Sequence, residues 1–281
     1  MELIQQSVSI QTRDDQHFAS LFVQRQENPH TRRAYAVDVK DFLDRIGVLA
    51  EVTFEQMLVY KKHLSSTYAE ATAARKFTVI RSMYDFGLKT GYLKWNPASP
   101  LKAPKVTKRL ADRILTTDQV KTVISSLKTK RWIALFKLLY ITGMRCSEAC
   151  NLKWNDIKDY SENGATLTIE GKGDKVRYVK IPLSLVNEFK FQTESADYVF
   201  TTRNKNRITP SQVRKKFRQV SRKTGIKVSP HYMRHSHATH ALANGANVVL
   251  VKDTLGHGNI AVTSQYLHAN PNESSSDYIE I

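Results

Sequence analysis

Four histidines and an arginine fall within the ten positions from His231 to His240, in the stretch SPHYMRHSHATH. His231 and His235 stand four apart and would share one helix face at a spacing that zinc accepts. Around them, however, there is no glutamate as in HExxH. Arg234 puts a permanent positive charge beside that face, and Asp253 is the one carboxylate close by in sequence. We therefore expect no metal and no other cofactor. A phosphate is better suited: arginine offers two parallel donors to an oxyanion, and histidine gains or loses a proton near neutrality. His231 and Arg234, three apart, would present both groups on one face. A single HxxR is weak evidence, because it occurs by chance in many helices.

Three other stretches carry residues of matching chemistry. In TGMRCSEACNL, Arg145 follows the Gly143 break at the start of a helix, with Glu148 one turn on. This is either a phosphate grip at a helix N-terminus or an ordinary surface ion pair. In GKGDKVRYV, Lys172 lies between two glycines at a hairpin tip, where a mobile cation can reach a ligand or simply face water. In LGHGNIAVTSQYLH, His257 follows a helix end and Tyr266 comes nine residues later.

The elements that must position these residues are mostly helices. Tyr35, Val39, Phe42 and Ile46 recur on one helical face, Thr53 and Gln56 form a capping box, and Phe77, Ile80, Tyr84 and Leu88 stripe a third helix ending at Gly91. A bundle of four or five helices follows over residues 1–101. The stretch NPASPLKAPKVTKRLADR holds three prolines and a run of Lys and Arg, and its residues 102–113 read as a linker. From there to residue 281 a second domain is expected. In it Thr117 caps a helix, RWIALFKLLYITG is an apolar helix closing at Gly143, ATLTIEG and VRYVKIP form a hairpin, and YVF is a short strand. Helices return through SQVRKKFRQVSRKTG, the histidine stretch and NVVLVKDTLG. The fold class is thus mostly α with a small β-sheet: an all-helical N-terminal domain and a mixed α/β second domain.

Composition narrows the partner. The 281 residues hold 43 Lys+Arg against 26 Asp+Glu, a net charge of +17, which suits a polyphosphate or merely gives a cationic surface. The two cysteines, Cys146 and Cys150, cannot complete a zinc set and read as reduced packing residues. The N-terminus lacks the pattern of a signal peptide, and the most apolar stretch is too short for a membrane span and is broken by Lys137. A cytoplasmic, nucleoid-associated protein with no membrane partner is expected.

Taken in order, Arg145, a hairpin lysine, HxxR, LGH and then a tyrosine closely resemble the tyrosine recombinases of the phage integrase family, and the likeness covers essentially the whole chain. NPHTRRAYAVDVKDFL looks like that family's core-binding domain. The chain is most similar to the two-domain Xer-like and Cre-like members, or to resolvases carried by transposons.

The resemblance implies a site-specific recombinase that cuts and rejoins DNA through a 3′-phosphotyrosyl link and a Holliday junction, in integration, excision or resolution. Tyr266 is then the nucleophile, Arg145, Arg234 and His257 bind the phosphate, and Lys172 protonates the leaving 5′-oxygen. His231 assists at the tyrosine hydroxyl, and Glu148 orients Arg145 or His231. His235 and His240 match the pattern but are expected to hold structure, while His237 stands where the family often has phenylalanine.

Double-stranded DNA sites would be gripped by both domains in a clamp, by a homotetramer on two sites, with an accessory DNA-binding protein in some systems. Candidate contacts are Arg32, Arg33, Arg75 and Lys76 on the first domain, Lys105, Lys108 and Arg109 in the linker, and Lys215, Lys216 and Arg218 on the basic helix. Residues 271–281 either dock on a neighbouring protomer or form a free tail. The rival functions are a type IB-like topoisomerase and a non-catalytic, sequence-specific DNA-binding protein.

Overall fold

The computed structural model describes residues 14–107, 110–162, 164–171, 176–189, 197–256, 259–264 and 266. The chain divides into two compact units after Lys108.

Four helices build the first unit: α1 (Asp15–Gln24), α2 (Pro29–Leu43), α3 (Phe54–Thr67) and α4 (Glu70–Lys89). Their starts are written locally. Asn28 accepts from the amides of His30 and Thr31 with Pro29 in the first turn, and Thr53 and Gln56 close a reciprocal capping box. Phe18, Phe22, Phe42, Met57, Phe77 and Ile80 form the core. The stripe on α4 ends a turn earlier than expected: Phe77, Ile80 and Tyr84 are buried, but Leu88 is exposed.

Lys76 departs further from expectation. Its side chain is buried, with Nζ 2.9 Å from Asp41 Oδ2 and 3.3 Å from Asp38 Oδ1. Its ammonium is thus engaged by two of the protein's own carboxylates, which compensate the buried charge, whereas the sequence suggested a DNA contact.

The second unit contains α5 (Thr117–Ser125), α6 (Lys130–Thr142), α7 (Cys146–Asn151), α8 (Leu183–Phe189), α9 (Pro210–Thr224), α10 (Pro230–Ala243), α11 (Val248–Leu255) and the single turn α12 (Ala261–Ser264). The cap of α5 is Thr116 rather than Thr117, because Gln119 stands three residues after Thr116 and completes a capping box with it. The sheet has three antiparallel strands in the order β1 (Ile157–Ser161), β2 (Gly164–Glu170), β3 (Val176–Ile181), one more than the hairpin anticipated. YVF is no strand: Tyr198 makes one isolated bridge with Lys153, while Val199 and Phe200 both sink into the core. Two consecutive buried side chains are incompatible with the alternation of a strand lying on one face.

In the sheet, Ile169 pairs with Arg177, so the two side chains share a face. That face is the inward one, since Leu167, Ile169, Val179 and Ile181 are buried. Among the described residues no helix is long and apolar enough to cross a membrane.

Candidate active site

Helix α6 ends at Gly143, whose φ of 60° is the left-handed conformation that a glycine adopts without steric cost. This termination leaves main-chain carbonyls without helical partners, and Arg234 uses one of them. From α10 its Nη1 donates to Gly143 O at 2.7 Å, and its Nη2 donates to Leu255 O, at the end of α11, at 2.8 Å. The guanidinium therefore bridges the negative ends of two helices. Burial first, and then the like charge of Arg145, pull its pKa down to about 10, so it remains charged at neutrality.

The same end of α11 holds two more arginines. Arg177 Nε donates to Thr254 O at 2.8 Å, and Arg145 Nη2 reaches Gly256 O at 3.4 Å. Three successive carbonyls, 254 to 256, thus each receive a different guanidinium. Opposite them sits the buried carboxylate of Glu148. It accepts from the Arg145 main-chain amide at 2.7 Å, from Arg145 Nη1 at 2.8 Å, and from Arg177 Nη1 and Nη2 at 3.2 and 2.6 Å. Burial opposes its ionisation, but the Arg177 and Arg145 bonds outweigh it and hold the carboxyl below its usual range. Among the described residues, three cations facing one anion leave the cluster short of negative charge, a condition that a phosphate corrects.

Of the two partners that the resemblance offered for Glu148, the hydrogen bonds go to Arg145, and they go also to Arg177, which sequence reasoning missed. The available signal was an arginine in VRYVKI on the same alternation as Val179 and Ile181.

The histidines separate into different roles. His231 is exposed at the start of α10. Loss of hydration, and then Arg234, Arg113, Arg145 and Arg214, lower its pKa. His237 Nδ1 donates to Tyr140 O at 2.9 Å, and His240 Nδ1 lies 2.7 Å from the Tyr140 hydroxyl. Both tie α10 to α6. Tyr266 is only 2% exposed, packed against Ala238, Val251 and Leu255. Its hydroxyl lies 2.8 Å from Nδ1 of His235, the histidine expected to serve structure. Lys172 and His257 lie outside the described residues, as do Lys108, Arg109 and the 271–281 tail.

Of the other basic candidates, Arg32, Arg33, Arg75, Lys105, Lys215 and Arg218 are exposed. Arg75 is ion-paired with Asp38, and Lys216 is partly buried with its Nζ 5.8 Å from the Trp132 ring centroid. Helix α9 buries Val213, Phe217 and Val220 and turns Arg214, Lys215 and Arg218 outward, between a Thr209–Gln212 capping box and a left-handed Gly225.

The model of the phage integrase family matches residues 113–273, and that of the phage integrase N-terminal SAM-like domain matches residues 15–91. The chain belongs to the phage integrase family. A tyrosine recombinase of Pseudothermotoga lettingae is 34% identical over 258 residues, covering 87% of this chain and 89% of that protein. Tyrosine recombinase XerC of Myxococcus xanthus is 29% identical over 264 residues, 85% of this chain and 87% of that one. The fold is shared with a lambda integrase dimer bound to a COC′ core site, with a TM-score of 0.78 at 17% identity, over 95% of this chain and 79% of that one. It is shared also with XerH bound to its difH substrate before cleavage, with a TM-score of 0.68 at 20% identity, over 88% and 77% of the two chains.

Proposed function

We propose that this tyrosine recombinase breaks and rejoins DNA at specific sites, with Tyr266 as the nucleophile and the arginine cluster as the seat of the scissile phosphate. The observation that carries this reading is the set of three guanidiniums on carbonyls 254–256 facing the single carboxylate of Glu148.

Arg145 and Arg234 bind the non-bridging oxygens, where negative charge concentrates as phosphorus becomes five-coordinate. Removing one such electrostatic partner typically costs about 10²–10³ in rate. Arg177 and Glu148 keep Arg145 in place. The attack leaves Tyr266 linked to the 3′-phosphate, and Lys172 gives a proton to the departing O5′, which leaves as a 5′-hydroxyl. Because one ester replaces another, no nucleotide cofactor is needed. His257 bonds the phosphate; His231, expected at the tyrosine hydroxyl, joins it in this reading, because it is His235 that lies against the Tyr266 oxygen and His231 is open to solvent beside the arginines.

The exposed bases of α9, with Arg32 and Arg33 on α2, contact DNA phosphates and set register without reading sequence. A lambda integrase tetramer has been solved on a Holliday junction, and we carry the same assembly to this chain, four protomers on two sites. Relatives named as recombinases favour strand exchange over the resealing of a topoisomerase. The test is Tyr266→Phe on a nicked suicide duplex carrying the site. Site binding is retained and the covalent protein–DNA adduct disappears; an adduct that persists assigns the nucleophile elsewhere.

A further inference from the structure

The hydroxyl of Tyr266 already has an imidazole against it. Its oxygen lies 2.8 Å from His235 Nδ1, with the two rings tilted at 46° and their centroids 5.6 Å apart. The tyrosine ring is fixed in this place by Ala238 of α10 and by Val251 and Leu255 of α11. We propose that His235 is a further catalytic residue, the general base that takes the proton of Tyr266 as the phenolic oxygen bonds to phosphorus. The proposal rests on Tyr266 being the nucleophile.

The charges around His235 favour this role. His231 and Arg234 face it from α10, and Arg113 faces it from the 3-10 turn Ala111–Arg113. Burial first, and then His231 whenever it is protonated and the permanent charges of Arg113 and Arg234, depress His235 to about 4, so the ring is neutral at physiological pH and one nitrogen carries a free lone pair. Burial raises the Tyr266 phenol against the opposing pull of Arg234, so the oxygen keeps its proton at rest. Weak basicity does not prevent the transfer. Once the oxygen begins to bond phosphorus it becomes the bridging oxygen of an aryl phosphate, and its proton turns far more acidic than an imidazolium. Position ranks before pKa in such a base.

The step balances. The O–H bond of Tyr266 breaks and its proton passes to Nδ1, the O–P bond forms, and the P–O5′ bond breaks with its electron pair on O5′. In the reverse attack by a 5′-hydroxyl, the imidazolium returns the proton to the departing tyrosine.

The experiment measures single-turnover adduct formation on the suicide duplex by full-length wild type, His235→Asn and His235→Gln, from pH 6 to 9. An amide can accept the hydroxyl's hydrogen bond and hold the tyrosine, but it cannot take the proton. Both variants are expected to bind the site and unfold in urea as wild type does, yet to cut about 10²-fold more slowly or worse. Their rates should also climb with pH, because hydroxide must remove the proton instead. A rate within threefold of wild type, or a slow rate with the wild-type pH profile, overturns the proposal. That result would leave the nucleophile assignment standing, since only an adduct on Tyr266→Phe removes it.

Discussion

His237 shows how one side chain sets a pH limit on stability. Its Nδ1 donates to the Tyr140 carbonyl at 2.9 Å, a bond that favours the charged ring. Burial, aided by Arg234 and His240, outweighs that bond and holds the folded pKa at about 4, against an ordinary 6.5. Between these values the unfolded chain binds a proton that the folded chain refuses. The stability from keeping this ring neutral is therefore complete above about pH 6.5 and is lost as the pH falls toward 4. His235 acts in the same direction over the same window. His237→Phe keeps a ring of similar size and removes one titrating group. It should lose about 1 kcal/mol at pH 7 with the Tyr140 bond. Its urea midpoint should then fall less than that of wild type between pH 7 and 4.5. Parallel declines would show that His237 does not set the limit.

At the scale of elements, the break between α6 and α7 organises the site. A Cβ on Gly143 would lie 2.6 Å from both His237 Cδ2 and Leu255 Cδ2, on a backbone at φ 60°. Gly143→Ala should cost about 3 kcal/mol, joining left-handed strain to overpacking, and should displace the carbonyl that Arg234 grips. Adduct formation should fall further than site binding. Gly91→Ala is the control: its φ is 72° but nothing lies within 4 Å, so only the strain of about 1 kcal/mol applies. Equal losses at the two glycines would refute the packing argument.

The Gly143 break was legible because an apolar helix ran straight into a glycine, and α9 was legible as the basic stretch SQVRKKFRQVSRKTG, which closes at Gly225. Arg177 was harder to place. In VRYVKI both alternations carry two apolar residues, and only the pairing of Ile169 with Arg177 decides which face turns inward. The anchoring carbonyls of residues 254 to 256 left no trace in the sequence, since a main-chain acceptor has no side-chain signature. Helical spacing likewise put His231 and His235 on one face without revealing which of them meets Tyr266.

For the molecule as a whole, the net charge of +17 invites the assumption that every basic residue serves DNA, and the structure allows that assumption to be divided. Lys215 and Arg218 project from α9 into solvent, whereas Lys76 is spent on Asp38 and Asp41. Each cation that neutralises a duplex phosphate adds about 0.9 to the slope of log affinity against log salt, because a condensed counterion is released. The double variant Lys215→Ala/Arg218→Ala should therefore lower that slope by about 1.8 while leaving the urea midpoint in place. Lys76→Met should do the reverse, keeping the slope and losing about 3 kcal/mol of stability, because two acidic side chains are left around a missing ammonium. Binding titrations on one duplex across a salt series, paired with urea melts, measure both quantities. A slope reduced by Lys76→Met would mean that this buried lysine turns outward to meet DNA; a slope untouched by the double variant would move the phosphate contacts of the second unit off α9.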